Sequence, residues 1–346
     1  MRHHSFVGRK ISCPEMNDNL FSGDSLKIQV NTKKYSRSLD GKEFTIELNN
    51  WAEQASGSVL VRLGDTLVLA TAVMNPNPRE GMDYFPLSVE YEEKFYATGK
   101  ILGSRFIKRE TRPSEEAVLA GRFIDRSIRP RFDHRMRNEV QVVVTVLSID
   151  DQNDPDVPGL LAASLALGIS NIPWNGPIAG VRVGINGGKM ILNPATEERN
   201  SATLDMIVSG TGDRINMIEA GANEIPEETF ASAVEWGFNF IKELISFQQD
   251  IIKENGQKKI EVALLEAPAE LQNLLKEKFW DKLESAVYQQ DKKDMSSALA
   301  AVKEEWLKSA SEASPDSFKK GPADFIFDKA VDEIVHKKII EKGERP

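Results

Sequence analysis

The sequence predicts an α+β protein in which strands and packed helices are followed by an all-helical segment. Short runs of aliphatic and β-branched residues, such as residues 59–62, recur between residues 44 and 211 and are bounded by turn residues. Amphipathic helical patterns separate these runs. From about Ile260 the composition becomes rich in Lys, Glu, Leu and Ala, which favours helices. A chain of 346 residues is long enough for roughly two or three domains.

The composition and the single cysteine limit the class of protein. Hydrophobic residues make up 40% of the chain and charged residues 28%. No run of about 18 apolar residues exists that could span a membrane, and the first residues lack the apolar core of a signal peptide. The one cysteine, Cys13, excludes internal disulfides and thiolate zinc clusters. We therefore expect a cytoplasmic protein in which residues 1–26 form a disordered extension.

The hydrophobic patterns also place individual elements along the chain. Residues 74–86 contain three prolines and are interpreted as a loop. The glycine-rich residues 184–189 lack the spacing of a phosphate-binding loop and predict a hairpin turn, and the acidic residues 150–156 lack the glycine of a calcium loop and predict a solvated turn. The patterns predict strands at residues 44–48, 59–62, 66–73, 140–148, 178–183, 190–192 and 205–211, and helices from Ser114, at 158–171 and at 227–254.

A basic segment spans residues 100–137. It holds eleven Lys or Arg against five acidic residues, a net charge of about +6, although the whole chain carries −9. An acidic chain has no general affinity for nucleic acid, so any such binding would depend on this local concentration of cations. Two explanations are open: a polyanionic partner, or an internal network of ion pairs.

The basic segment contains the helix predicted to begin near Ser114. Pro113 suits the first turn of a helix, and acidic residues follow it. Small and aliphatic residues recur on one face, which indicates a helix packed against a sheet. The roughly opposite side carries Arg122, Arg126 and Arg129. These arginines are candidate RNA contacts, although an ion-pair ladder with neighbouring protein explains the row equally well.

A loop ahead of this helix combines apolar and cationic side chains. Phe106 and Ile107 stand beside Lys108 and Arg109. Such a combination suits single-stranded RNA, because a ring stacks on a base while cations hold phosphates. Solvated surface charges are the alternative for each residue taken alone. The candidate RNA-binding residues of the loop are Arg105, Phe106, Ile107, Lys108, Arg109 and Arg112.

Residues 106–132, FIKRETRPSEEAVLAGRFIDRSIRPRF, closely resemble the first RNase PH-like domain of bacterial polynucleotide phosphorylases. Residues 57–73 are similar to the opening hairpin of that fold. The resemblance implies mixed β-sheets with packed helices, a ribosomal S5 domain 2-like fold, over residues 27–254, and an all-helical linker domain over 260–342. Ile107 departs from the family by replacing its second aromatic, and Arg105 resembles a one-residue insertion. The chain ends where a second RNase PH-like domain would begin, so we expect an N-terminal fragment.

The resemblance also implies a degenerate active site. Active members hold phosphate with consecutive serines at a helix start and hold a divalent metal with paired aspartates. Asp154, Pro155 and Asp156 stand at the serine positions, where carboxylates would repel phosphate. Arg199 and Asp205 stand at the aspartate positions, so an ion pair is expected there. We expect no catalytic residue and no metal site in this fragment, with Asp205 as a lone remnant.

The expected function follows from this resemblance. The full protein would be a polyribonucleotide nucleotidyltransferase that degrades single-stranded RNA from its 3′ end in mRNA decay, using inorganic phosphate and Mg²⁺ and releasing nucleoside diphosphates. This portion would guide RNA and scaffold a homotrimer, with degradosome components as further candidate partners and with neither DNA nor a membrane as a partner. The alternatives are a non-catalytic RNA-binding module and a self-sufficient RNase PH-like exonuclease.

Overall fold

The computed structural model describes residues 32–79, 82, 84–100, 112–150, 152–266, 268–313 and 318–346. The predicted extension over residues 1–26 and the predicted RNA-binding residues 105–109 lie outside these ranges. Within them, the strands are β1 (Lys33–Leu39), β2 (Lys42–Leu48), β3 (Gly57–Leu63), β4 (Thr66–Pro78), β5 (Leu87–Glu93), β6 (Asn138–Ser148), β7 (Ala179–Asn186), β8 (Lys189–Leu192), β9 (Leu204–Gly210) and β10 (Ile215–Ala222).

The helices divide into those among the strands and those that follow. The first group is α1 (Glu115–Ile128), α2 (Asp156–Ile169), the short α3 (Thr196–Asn200) and α4 (Glu227–Asn255). The second group is α5 (Ala269–Lys278), α6 (Trp280–Val287), α7 (Lys292–Ala313) and α8 (Lys320–Lys342). Within the described ranges, no helix is both long and apolar enough to cross a membrane.

The described strands form two sheets. One has the order β1-β2-β3-β4-β6-β5 and is mixed, because β5 runs parallel to β6 while its other pairs are antiparallel. The other has the order β10-β9-β7-β8 and is antiparallel throughout. The predicted α+β class with mixed sheets and packed helices is confirmed. The predicted hairpin at residues 184–189 is also confirmed, since Gly187 and Gly188 make the turn with φ of +56° and +79°.

Helix α2 lies at the centre of the core, between the two sheets. It contacts β3 and β4 of the first sheet and β7 of the second. A helix that is apolar on all sides is stable only when buried on all sides, and nearly every residue of α2 is buried. Gly57 of β3 permits close approach, because a Cβ there would lie 2.1 Å from the carbonyl oxygen of Ala166. Helix α4 covers the outer side of the second sheet by packing on β7 and β9.

The structure corrects the sequence interpretation in two places. Residues 74–78, interpreted as loop, continue β4, where Met74 pairs with Val140 of β6. The prolines at 76 and 78 are tolerated because β3 pairs with β4 only as far as Ala72, so one side of this extension carries no ladder. Strands β1, β5 and β10 are not predicted at all. These three lie at sheet edges and are largely polar or exposed, so they lack the continuous apolar pattern of a central strand.

Helices α5 to α8 bury a hydrophobic core of their own around Trp306, whose Nε1 donates to the carbonyl oxygen of Ala323 at 2.9 Å. The segment after α4 is held to the first core by backbone hydrogen bonds. The amide of Gln257 donates to Ile169 O, and that of Leu265 donates to Arg135 O, both at 2.9 Å. Lys259 Nζ caps the end of α2 by donating to three carbonyl oxygens at 2.7 to 3.1 Å.

Candidate functional site

The residues at the serine positions of the resembled family lie at the start of α2. Asp156 is the first residue of the helix and Pro155 precedes it as the N-cap. Asp205 lies on β9, directly across from β7. The expectation that residues 154–156 stand at a helix start is confirmed. The interpretation of 150–156 as a solvated turn is wrong for Asp156, which is only 7% exposed because it begins a helix that enters the core.

Arg182 of β7 joins these carboxylates. Its Nη1 donates to both carboxylate oxygens of Asp205 at 2.9 Å. Its Nη2 donates to Asp156 and lies 3.5 Å from Asp154 Oδ2. The Arg182 side chain is 10% exposed, so its charge is compensated by these neighbours and not by solvent.

Arg199 of α3 completes the group. Its Nε donates to Asp205 Oδ2 at 3.2 Å, and its Nη1 donates to Asp154. The expected ion pair between Arg199 and Asp205 is therefore confirmed. Because its members come from the start of α2 and the residues just before it, from β7, from α3 and from β9, the group ties the N-terminus of α2 to the second sheet. We call the following five residues the ion-pair cluster: Asp154, Asp156, Arg182, Arg199 and Asp205.

The ion-pair cluster contains three carboxylates and two guanidinium groups, an excess of one negative charge. Burial and the neighbouring Asp154 raise the pKa of Asp156 to about 6, with Arg182 opposing the shift. Burial alone would lower the pKa of Arg182, but Asp156, Asp154 and Asp205 raise it overall. The pKa of buried Tyr91 is raised well above its usual value, first by burial and then by the charges of Asp156 and Asp154. The geometry therefore favours uptake of one proton at Asp156.

The donor set of the ion-pair cluster does not fit a divalent cation or a phosphate. Both oxygens of Asp205 accept from Arg182, and one also accepts from Arg199, so the carboxylate is occupied by guanidinium donors. A phosphate at the start of α2 would meet the carboxylates of Asp154 and Asp156 at close range. The arrangement is therefore that of a structural ion-pair network.

Arg182 is the member that the sequence analysis missed. Its carboxylate partners lie 23 and 26 residues away along the chain, so no local pattern joins them. One signal was available: an arginine stands inside the apolar strand sequence AGVRVGIN. A charge in a buried strand requires a partner, so this arginine indicates a buried carboxylate beside it.

The predicted arginine row on α1 separates into residues with different surroundings. Arg129 faces protein: it donates to Asp125 at 2.8 Å and to the Leu87 carbonyl oxygen at 3.1 Å. Arg126 is exposed but paired with Glu219 of β10. Arg122 and Arg112 are exposed and have no ion-pair partner in the part of the chain that the structure describes. Of the row, only Arg122 therefore presents an uncommitted guanidinium to a ligand.

The C-terminal part of the basic segment is also committed internally. Arg131 Nε donates to the Asn175 carbonyl oxygen at 2.7 Å, and Arg135 forms a two-point ion pair with Asp133, the shorter contact being 2.7 Å. Arg137 Nη1 donates to the carbonyl oxygens of His134 and Met136, both at 2.8 Å. Internal ion pairs therefore account for Arg129 and Arg135, whereas Arg131 and Arg137 are held by backbone carbonyl oxygens. The cations available for a polyanion lie nearer the start of the segment.

The helix predicted near Ser114 is present, with Ser114 as its N-cap and with Glu115 and Glu116 in its first turn, but Pro113 precedes the N-cap and is not in the first turn as predicted. The Ser114 hydroxyl oxygen accepts from the Ala117 amide at 2.9 Å, and the hydroxyl donates to Glu93 of β5 at 2.7 Å. The buried face includes Ala117, Gly121 and Ile124, and the helix packs on β5. Arg112 therefore stands two residues before the N-cap of a helix that is held in place by its cap and by its packing on β5.

Two family models match this chain. Residues 40–173 match the 3′ exoribonuclease family, domain 1, and residues 176–239 match domain 2 of that family. A solved structure, the Archaeoglobus fulgidus exosome with RNA bound to the active site, is 21% identical with a TM-score of 0.47, covering 61% of this chain and 87% of that chain.

Curated relatives match nearly the whole chain. The polyribonucleotide nucleotidyltransferase of Heliobacterium modesticaldum is 43% identical over 312 residues, which is 90% of this chain and 44% of that protein. The protein of the same name from Anoxybacillus flavithermus is 44% identical over 316 residues, 91% of this chain and 45% of that protein. This chain thus spans less than half the length of these relatives. With both domain matches and this identity, the chain belongs to the 3′ exoribonuclease family, the RNase PH-like family that includes the polyribonucleotide nucleotidyltransferases.

Proposed function

We propose that this chain is the N-terminal, non-catalytic half of a polyribonucleotide nucleotidyltransferase. The whole enzyme would degrade single-stranded RNA from its 3′ end in mRNA decay. An oxygen of inorganic phosphate would attack the phosphorus of the last phosphodiester, and the bond from that phosphorus to the 3′ oxygen of the penultimate nucleotide would break. The RNA would keep a free 3′ hydroxyl and be one nucleotide shorter, and the terminal nucleotide would be released as a nucleoside diphosphate. The relatives of that name, matched over 90% of this chain, support the proposal.

The ion-pair cluster is the observation that supports a non-catalytic role. Guanidinium donors of Arg182 and Arg199 take up the carboxylate of Asp205. Carboxylates at the start of α2 disfavour the phosphate nucleophile. Mg²⁺ and inorganic phosphate would therefore bind in another part of the whole enzyme, and none is expected on this fragment.

RNA guidance would fall to the first part of the basic segment. Arg112 and Arg122 are exposed cations on either side of the first turns of α1. The residues 105–109 that precede them supply Phe106, Lys108 and Arg109, a combination that suits single-stranded RNA. Arg126 contributes only where RNA displaces Glu219, and Arg129 contributes to folding.

The assembly and location are also proposals. The exposed faces of the core would scaffold a homotrimer in the cytoplasm, and degradosome components would dock elsewhere on the whole protein. A non-catalytic RNA-binding module of this length is the alternative, and a self-sufficient exonuclease is disfavoured by the ion-pair cluster.

The test is binding of a labelled oligoribonucleotide to this chain. We expect weak binding of single-stranded RNA and weaker binding of a duplex of the same length, because stacking requires unpaired bases. Equal affinity for single strand and duplex would contradict guidance by the loop. Replacing Arg122 with Gln should lower the affinity, whereas the same change at exposed Lys278 of α5 serves as the control.

A further inference from the structure

A cavity of about 290 Å³ lies between the two hydrophobic cores of the chain. One wall is Arg135, in the segment that follows α1, and the opposite walls are α5, the start of α6 and α8. Clefts between separately packed units are common ligand sites. The volume is at the small end of the range for such sites, so the cavity suits one small molecule and not a polymer.

The floor of the cavity is apolar. Leu275 of α5, together with Ile326 and Ala330 of α8, is buried in the helical core and lines the cavity. Trp280, the first residue of α6, also lines it and is half-buried. An indole beside aliphatic side chains suits a flat aromatic ring, because stacking on the indole and burial of apolar surface both stabilise the bound ring.

Cations surround this floor. Asp133 holds the Nε and Nη2 of Arg135 at 3.0 and 2.7 Å, which fixes the guanidinium and leaves Nη1 for another acceptor. Lys276 of α5 and Lys329 of α8 line the cavity, are exposed, and have no ion-pair partner among the residues described. Asp133 neutralises the charge of Arg135, so an anionic group would be held by the two lysines together with the remaining Nη1 donor of Arg135.

Two carboxylates give the cavity a further preference. Glu266 and Glu333 line it and are exposed acceptors. They would accept hydrogen bonds from amino groups on a ring, while repelling a ligand that offers only acceptors. The combined chemistry is therefore a flat ring with amino groups and an attached anion.

We propose that this cavity binds a nucleoside phosphate with an amino-bearing base, the base on Trp280 and the phosphate between Arg135, Lys276 and Lys329. The choice of a diphosphate rests on the proposed function, because nucleoside diphosphates would be the product of the whole enzyme. Binding of product here, away from the ion-pair cluster, would report product concentration to the helical part of the chain.

Calorimetric titration of this chain with ADP tests the proposal. We expect saturable binding that weakens about tenfold in Lys276→Glu, since a hydrogen bond to a charged group contributes about that factor or more. Lys278→Glu is the matched control: Lys278 lies in the same last turn of α5, is exposed, and does not line the cavity. Two positions apart on a helix, these lysines do not share a face.

Further probes separate the parts of the site. ADP should bind more tightly than UDP, whose base lacks an amino group, and more tightly than pyrophosphate, which lacks a base. Trp280→Leu should weaken ADP binding while circular dichroism shows an intact fold. The proposal is overturned by absence of saturable ADP binding up to about 1 mM, by equal losses in Lys276→Glu and Lys278→Glu, or by pyrophosphate binding as tightly as ADP. These outcomes leave the proposed function untouched, because the titration involves neither RNA nor phosphorolysis.

Discussion

Arg199 Nε donates to Asp205 Oδ2 at 3.2 Å, so an ion pair stands at the two positions that the family resemblance assigns to paired aspartates. Arg182 shares the same carboxylate from the other side at 2.9 Å. The carboxylate that could otherwise bind a metal is thereby neutralised by two guanidinium groups of the same chain. The consequences for the stability of the fold and for its pH dependence can be measured.

The pH dependence of stability should report Asp156. Its folded-state pKa, about 6, lies above the value in an unfolded chain, so protonation favours the folded state. This stabilisation is fully present below about pH 4 and is lost as pH rises through about 6, a change of roughly 2–3 kcal/mol in the free energy of unfolding. Urea unfolding between pH 5 and 7 should therefore show stability falling as pH rises.

Asp156→Asn should flatten this profile. The amide oxygen can still accept from the Val157 amide, which donates at 2.6 Å, but the side chain no longer ionises. Asp250→Asn, on an exposed carboxyl of α4, is the control and should leave the profile unchanged. A wild-type profile that rises from pH 5 to 7, or one that Asp156→Asn leaves intact, would show that Asp156 does not take up the proton.

Loss of Arg182 should destabilise the fold strongly. Arg182→Gln leaves Asp156 and Asp205 buried without their main cation, and breaking a buried pair in this way costs about 3–5 kcal/mol. Arg122→Gln removes an exposed guanidinium and should change stability by no more than about 0.5 kcal/mol. Urea midpoints of both variants, measured at one pH, provide the comparison. Similar midpoints would mean that the ion-pair cluster contributes nothing to stability.

RNA affinity should depend on salt through the loop cations. Each phosphate contact with a single strand changes the slope of log K against log salt by about 0.7. Lys108→Ala combined with Arg109→Ala should therefore make the slope shallower by roughly 1 to 1.5. Filter binding over a salt series measures this slope. An unchanged slope would show that these two cations do not touch RNA.

Ile107 tests base stacking at the loop. If a base stacks there, Ile107→Phe should tighten RNA binding several-fold, because base–aromatic stacking contributes about 1–3 kcal/mol. The salt slope should stay the same, since no charge changes. If the side chain instead anchors the loop, the larger ring would cost about 1–3 kcal/mol of stability and bring no gain in affinity. Melting temperature and RNA affinity measured on one sample distinguish the two.

The sequence predicted the central elements because their local patterns are strong. The continuous apolar run of α2 and the paired glycines between β7 and β8 each determine the local structure from a few neighbouring residues. Edge strands such as β5 have no comparable pattern, because their polar residues face solvent and their pairing depends on a distant β6. Long-range pairing of this kind cannot be predicted from a short stretch of sequence.

In the candidate site, too, some residues could be predicted from the sequence and one could not. Asp154, Asp156, Arg199 and Asp205 could be named from the family pattern. Arg182 could not, since its role follows from β7 and β9 lying side by side. In the basic segment, the high content of Lys and Arg could be seen in the sequence, but the role of each cation could not. Arg122 is exposed, whereas the guanidinium of Arg137 is bound to backbone carbonyl oxygens. Which cations are committed internally is decided by the fold.

We propose that this chain is part of a phosphorolytic enzyme but does not itself carry out phosphorolysis. The direct measurement is release of nucleoside diphosphate from a single-stranded oligoribonucleotide by this chain, with inorganic phosphate and Mg²⁺ present. We expect no release above background from the wild type or from Asp205→Ala, under conditions in which the wild type binds the RNA. Release by the wild type that disappears in Asp205→Ala would contradict this proposal and would make this an active RNase PH-like site.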